Sequence, residues 1–178
     1  ATGYTIGMRM HSAPVVRVCD AKPMHLGHVA QADGRWRLYA FAGANDHAQR
    51  DQGLHALCEF LANSADSPVR KYTPEGWDLD AVFDLRAIFQ QSSQDVRIEE
   101  VHPLLRPQKG RFQLHDLEKV FAVDHKNQQD IFALRGINRE QGALVIVRPD
   151  QYVAHVLPLN AHAELAQFFD SFMLTTAA

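Results

Sequence analysis

The stretch from Asp130 to Leu174 leaves this chain the fewest ways to fold. Residues Ile131 to Arg135 fit a short helix, and Gly136 is placed to end it, because only glycine takes the left-handed cap without a Cβ clash. Ala143 to Arg148 is a continuous apolar run closed by an arginine, the pattern of a strand covered on both faces. Pro149 and Asp150 mark a turn: Pro presets φ and Asp can bond its own backbone. Gln151 to Val156 returns as a second strand, and Pro158, which has no N–H, stops the ladder. Asn160 is a candidate cap for a helix in which Leu165, Phe168, Phe169 and Phe172 recur at i, i+3, i+4, i+7.

A short helix, a buried hairpin and a closing helix make the C-terminal half of a thioredoxin-like domain, and the earlier chain supplies the other half. Trp36 to Ala42 alternates as a strand, with Trp36, Leu38, Ala40 and Ala42 on one face. Gly43 to Asp46 breaks it, and Asn45 or Asp46 can cap the following helix, whose stripe is Leu54, Leu57, Cys58 and Leu61. Asn63 and Ser64 close that helix. Val82 to Phe89 is the next strand, with Asp84 and Arg86 on the face opposite Phe83, Leu85, Ala87 and Phe89. A strand, helix and strand in this order form a right-handed unit with parallel strands. The fold expected is α/β, a thioredoxin-like mixed sheet flanked by helices, without the CxxC motif.

Two parts are less regular. Residues 1–35 are rich in Gly and Pro and read as a linker and edge segment; Val15 to Val18 and, after a break at Pro23, Leu26 to Val29 are brief strands. Residues 90–130 read as an irregular insertion within the domain spanning 36–178. Ile98 to Leu105 is a short amphipathic piece, Arg106 to Gly110 a loop, and Leu117 to Val123 fits either strand or helix. The first methionine is Met8, so the chain is expected to be a piece of a longer one.

Composition narrows the function classes. The formal charge of -3 and the absence of a basic stripe argue against nucleic acid. The longest apolar run is too short for a membrane span. Two cysteines, Cys19 and Cys58, suit a reduced cytoplasmic protein better than a disulfide scaffold.

Thioredoxins work through a Cys-x-x-Cys at the start of the helix after the central strand, where the helix terminus lowers the thiol pKa. That place here is Gly43-Ala44-Asn45-Asp46-His47, and where thioredoxins carry a proline before the hairpin stands Gln141-Gly142. The domain therefore reads as redox-dead. Cys58 falls on the apolar stripe of its helix and reads as a core thiol; Cys19 has no resolving partner at matching spacing. His25 and His28 would give a metal only two ligands where zinc wants three or four. Glu99 and Glu100 read as a solvated helix face. No phosphate loop, nucleophile elbow or dinucleotide-binding glycine motif occurs.

Two stretches carry a family resemblance: Gly7 to Val15 with Leu26-Gly-His28 and Asp33 to Ala42, and Val147 to Ala154 with its Arg148-Pro149-Asp150-Gln151-Tyr152 segment. Together they resemble the C-terminal domain of FAD-dependent aromatic hydroxylases of the phenol 2-monooxygenase group, of phenol or 3-hydroxybenzoate type. The resemblance implies a parent enzyme that uses FAD and NAD(P)H and holds both, with the substrate, in earlier domains. It implies no catalytic, cofactor-binding or metal residue in this chain, and a role in packing onto the FAD and substrate domains and in a homodimer. Gly7, Arg9 and Pro14 would lie at the junction with the catalytic part. The rival readings are a stand-alone peroxiredoxin-like thiol enzyme using Cys58 or Cys19, and a thioredoxin-like binding module.

Overall fold

A computed structural model describes residues 1–46 and 51–175. His47, part of the expected helix entry, lies outside the described residues. The core is one seven-stranded mixed sheet. Its middle is β3 (Trp36–Phe41) beside β4 (Phe83–Phe89), paired parallel with Leu38 opposite Leu85. The connection between them is helical, α1 (Gly53–Asn63) and the short α2 (Pro68–Tyr72), which is why those strands run the same way. On the far side of β3 lie β8 (Ala143–Val147) and β9 (Val153–Leu157), antiparallel to β3 and to each other, respectively.

Alternation along each strand divides the core in two. Leu38, Ala40 and Ala42 face a cluster built with α1, α2 and α4 (His162–Asp170). Tyr39 and Phe41 face a second cluster with Ile131 and Phe132 of α3 (Ile131–Leu134) and with Tyr4. Every residue of β8 is buried, as an apolar strand covered on both faces must be. Asp130 caps α3 by accepting from the Phe132 N–H, and Gly136 follows at φ +53. Among the described residues no helix is long and apolar enough to cross a membrane.

Several local expectations are corrected. β1 (Pro14–Arg17) is the brief strand expected near Val15, but β2 (Lys22–His25) was not expected, and both belong to the main sheet, where Val15 is completely buried. Pro23 does not break β2, because β2 is the edge strand and an edge tolerates a missing N–H. Leu26–Val29 is a single 3-10 turn, not a strand. Within 90–130, the loop expected at Arg106 to Gly110 contains β5 (Gln108–Lys109), paired with β6 (Leu114–His115) in a small separate hairpin. β7 (Val120–Val123) is fully buried and lies in the sheet between β1 and β4. Only Pro103–Leu105 of the amphipathic piece is helical, as a 3-10 turn, and the exposed Glu99 and Glu100 lie in a turn rather than on a helix. Asn160 does not cap α4, whose N-cap is Ala161 with no side-chain hydrogen bond. The second hairpin strand starts at Val153; Gln151, at φ +70, belongs to the turn.

Candidate functional site

The place where a thioredoxin-like fold carries its chemistry is the C-terminal end of β3 and the start of α1. Here it is closed by a carboxylate. Asp46 Oδ2 accepts from the Gly43 N–H at 2.8 Å and from the Leu54 N–H at 3.0 Å, so it serves the first turn of α1 although six residues lie between it and Gly53. The fit requires glycine: a Cβ on Gly53 would lie 2.0 Å from Asp46 Oδ1. Gly142, where thioredoxins place proline, sits at φ +66, and a Cβ there would lie 2.1 Å from the Phe41 carbonyl. Both positions that would serve a thiol are used for backbone closure.

Neither cysteine replaces the lost pair. Cys58 is completely buried on α1, and burial, reinforced by Glu59 and Asp46, pushes its thiol far above the ordinary range. Cys19 is exposed in the turn after β1, where partial burial and the Asp20 charge also raise it. Neither is a ready thiolate. We expect Cys58 to resist alkylation at neutral pH in folded protein and to label only on unfolding. A Cys58 half-time comparable to that of Cys19 in a mass-spectrometric time course would overturn this assignment.

A histidine cluster that the sequence does not signal sits close by. His55 and Glu59, one turn apart on α1, meet His102, and a potential ligand atom from each lies within 4.8 Å of the others. The only comparable signal in the sequence is the i, i+4 spacing of His55 and Glu59. Hydrogen bonding decides what the group does. His102 Nδ1 accepts from the Leu104 N–H at 3.1 Å, so its proton resides on Nε2, which donates to Glu59 Oε1 at 3.0 Å. A cation on Nε2 would force that proton to Nδ1, against the Leu104 N–H. The residues therefore do not fit a metal. Burial lowers the His102 pKa against the pull of Glu59, and the His102 hydrogen bond lowers that of Glu59. The adjacent cavity, about 120 Å³, has Leu54, Phe89, Val96 and Leu105 among its apolar walls. The His25 and His28 rings lie with centroids 5.4 Å apart, tilted by 40°, without a third ligand in any three-residue group among the described residues.

The two resemblance stretches meet in space. Gly7 N donates to the Val153 carbonyl at 2.8 Å, Val153 N to the Met8 carbonyl at 2.9 Å, and Met10 N to the Gln151 carbonyl at 2.8 Å. Arg9 Nη2 donates to Gln151 Oε1 at 3.1 Å. The motif folds on itself as a turn: Gln151 N donates to the Arg148 carbonyl at 2.9 Å, Arg148 pairs with Asp150, and its guanidinium lies over the Tyr152 ring. Pro149 sits inside that turn. Pro14 lies elsewhere, at the start of β1 opposite His25. Ile6, Met8 and Tyr152 remain exposed on this face.

The largest feature missed by sequence reasoning is ionic. At the opposite end of β3 and β4, Asp33, Asp80, Asp84 and Asp116 interlock with Arg35, Arg37, Arg86, Lys109 and Lys119. Lys119 Nζ, nearly inaccessible, lies 2.6 Å from Asp80 and 2.5 Å from Asp84. Burial raises the Asp84 pKa, but Lys119, Arg86 and Arg37 outweigh it and hold the carboxyl at about 2. The alternation of Asp84 with Arg86 was the visible trace; the partners come from four separate stretches, 33–37, 80–86, 109 and 116–119. Removing one member of such a buried cluster is strongly destabilising, because it leaves its partner's charge uncompensated.

Comparison with known proteins places this geometry in context. The phenol hydroxylase, C-terminal dimerisation domain family matches residues 1–177. A 3-hydroxybenzoate 4-monooxygenase from Comamonas testosteroni is 63% identical over 174 residues, covering 97% of this chain and 27% of that protein. An FAD-dependent monooxygenase from Aspergillus terreus is 33% identical over 176 residues, covering 97% of the chain and 28% of its own length. The chain thus spans little more than a quarter of either relative. In fold it is similar to the thioredoxin domain of a thiol-disulfide oxidoreductase from Bacteroides vulgatus, with a TM-score of 0.55 at 12% identity over 96% of this chain and 99% of that one.

Proposed function

The chain belongs to the family of phenol hydroxylase C-terminal dimerisation domains, and on that premise we propose that it is the assembly part of a larger FAD-dependent, NAD(P)H-using hydroxylase of phenol or 3-hydroxybenzoate type. The carrying observation is the match over residues 1–177 together with relatives nearly four times as long. Its work is mechanical: one face packs onto the FAD and substrate domains of the same polypeptide, and another meets a second subunit. The face where Gly7 and Arg9 pair with Gln151 and Val153 is the one we assign to the catalytic part, with Pro14 leading from it into β1. Residues 1–35 then carry the approach from that part and add β1 and β2 to the sheet of the thioredoxin-like body, 36–178. Two free thiols favour a cytoplasmic parent.

The test is removal of residues 1–178 from the parent polypeptide. We expect sedimentation to show a monomer in place of a dimer while the flavin absorbance stays. Loss of bound flavin on removal would overturn the separation of assembly from chemistry. A truncated parent that remains a dimer would overturn the assembly role itself.

A further inference from the structure

The cavity beside His55 and His102 lies where a thioredoxin-like fold would hold its sulfur pair. Asp46, just after β3, and Leu54, in the first turn of α1, both line it. Phe89 at the end of β4 and residues from the stretch 95–105 supply the other walls. The carboxylate that closes the backbone here therefore leaves a space next to it.

The lining is divided. Leu54, Phe89, Val96 and Leu105 are buried and apolar, whereas Asp95, Arg97 and Glu100 are exposed, which puts the mouth on their side. Protein interiors keep few voids larger than a water molecule, because a void forfeits dispersion contacts. Water fills such a space poorly: each molecule wants roughly 2–4 polar partners, and the buried walls are carbon. At about 120 Å³ the volume is close to the roughly 150 Å³ in which an engineered apolar cavity holds benzene. That is room for one ring and too little for a larger ligand.

One polar atom of the lining is left over. His55 Nδ1 is shut off from solvent and has no hydrogen-bond partner among the described residues. His102 cannot serve it, since the Leu104 N–H and Glu59 engage both of its ring nitrogens. The two rings meet edge to face with centroids 4.9 Å apart. A hydroxyl suits His55 in either tautomer, because it both donates and accepts. Charge decides against an acid. Asp46, Asp95 and Glu100 line the cavity against the one guanidinium of Arg97, which pairs with Glu100 at 3.4 Å. An entering carboxylate meets like charge, and any ion loses water against the apolar walls.

We propose that this cavity binds one small uncharged aromatic ring bearing a hydroxyl, a simple phenol. The ring lies against Leu54, Phe89, Val96 and Leu105, and the hydroxyl serves His55. The site is built from this chain alone and stands or falls independently of the assembly reading.

The experiment is a titration of the 178-residue chain with phenol, benzene, benzoate and benzylamine, followed by the methyl resonances of Leu54, Val96, Val101 and Leu105. Phenol should shift these methyls saturably and leave those of Val15 and Val123, in the other core cluster, in place. Benzene should bind about tenfold more weakly, the contribution of one hydrogen bond, and benzoate and benzylamine should not saturate. His55→Leu should bring phenol down to the level of benzene, while benzene binds no more weakly than before. Val96→Phe, which puts a ring into the space, should abolish both, and far-UV circular dichroism checks the fold of each variant. No saturable shift with phenol up to its solubility, or shifts centred away from these walls, overturns the site. Phenol binding undiminished in His55→Leu overturns the anchor. Benzoate or benzylamine binding as tightly as phenol overturns the choice of an uncharged ligand.

Discussion

Lys119→Met is expected to lower the unfolding free energy by about 3–5 kcal/mol, the usual loss when one partner of a buried ion pair is removed. Lys119 is enclosed by Asp80, Asp84 and Asp116, at 2.6, 2.5 and 3.7 Å. Met fills similar space but leaves those carboxylates facing each other with less positive charge. Arg37 and Arg86 still touch Asp84, and Lys109 still touches Asp80, so the loss should fall toward the lower end. A domain has only about 5–15 kcal/mol to lose, which makes this a large fraction of the total. Urea unfolding measures it. The double variant Lys119→Met/Asp84→Asn should be less destabilised than the sum of the single variants, because the two changes remove opposite members of one pair. Strict additivity would mean that the pair is not coupled.

The same cluster sets a pH dependence. Asp84 is held at about 2, and Asp80 and Asp116 are also lowered: burial raises each, and nearby lysines or backbone N–H groups outweigh it. Their unfolded values lie near 3.9. A carboxyl whose folded pKa is depressed contributes stability that is fully present above the unfolded value and is lost as pH falls through the folded one. The wild-type chain should therefore hold its fold at pH 5 and lose stability progressively from about pH 4 toward pH 2. In Lys119→Met the carboxyl pKa values rise and the acid transition should move to higher pH. An unchanged acid midpoint in that variant would show that Lys119 does not set these values.

Phe169→Ala is expected to cost about 3–5 kcal/mol by the cavity it leaves. Phe169 is fully buried and meets the Trp36 ring edge-on at 5.2 Å and the Phe83 ring at 4.9 Å. It is the contact by which α4 docks on the sheet, helped by Tyr72, whose hydroxyl donates to Asp170 at 2.7 Å, and by Lys71 on the same carboxylate at 2.8 Å. Phe172, one turn on and half exposed, should tolerate alanine with a much smaller loss. Asn160→Ala should be nearly neutral, since Ala161 is the N-cap. Chemical unfolding followed by tryptophan emission compares all three. Equal losses for Phe169→Ala and Phe172→Ala would contradict the docking geometry.

The parts legible in advance were those in which the deciding information is local. The strand from Trp36, the stripe of Leu54, Leu57, Cys58 and Leu61, and the hairpin around Pro149 each carry a period or a turn residue that backbone sterics translate directly into an element. The missing Cys-x-x-Cys is equally local, because a redox site without its sulfur pair is visible residue by residue. β1, β2 and β7 are four residues each, too short for a period, and β1 pairs Val15 with Val123 across more than a hundred positions. No window along the chain contains that pairing.

The same limit hid the charges. From the sequence Asp84 either pairs with neighbours or meets solvent, and only the folded chain brings Arg37, Arg86 and Lys119 around it and buries it. It also hid the proton on His102, which is fixed by a backbone N–H and a carboxylate from a different element. The sequence by itself determined the α/β order, the parallel pair and the lack of a Cys-x-x-Cys, because short-range sterics and residue identity suffice for these. Tertiary structure alone decided which strands are central and which charges are buried, because proximity between distant segments is settled only when the whole core closes.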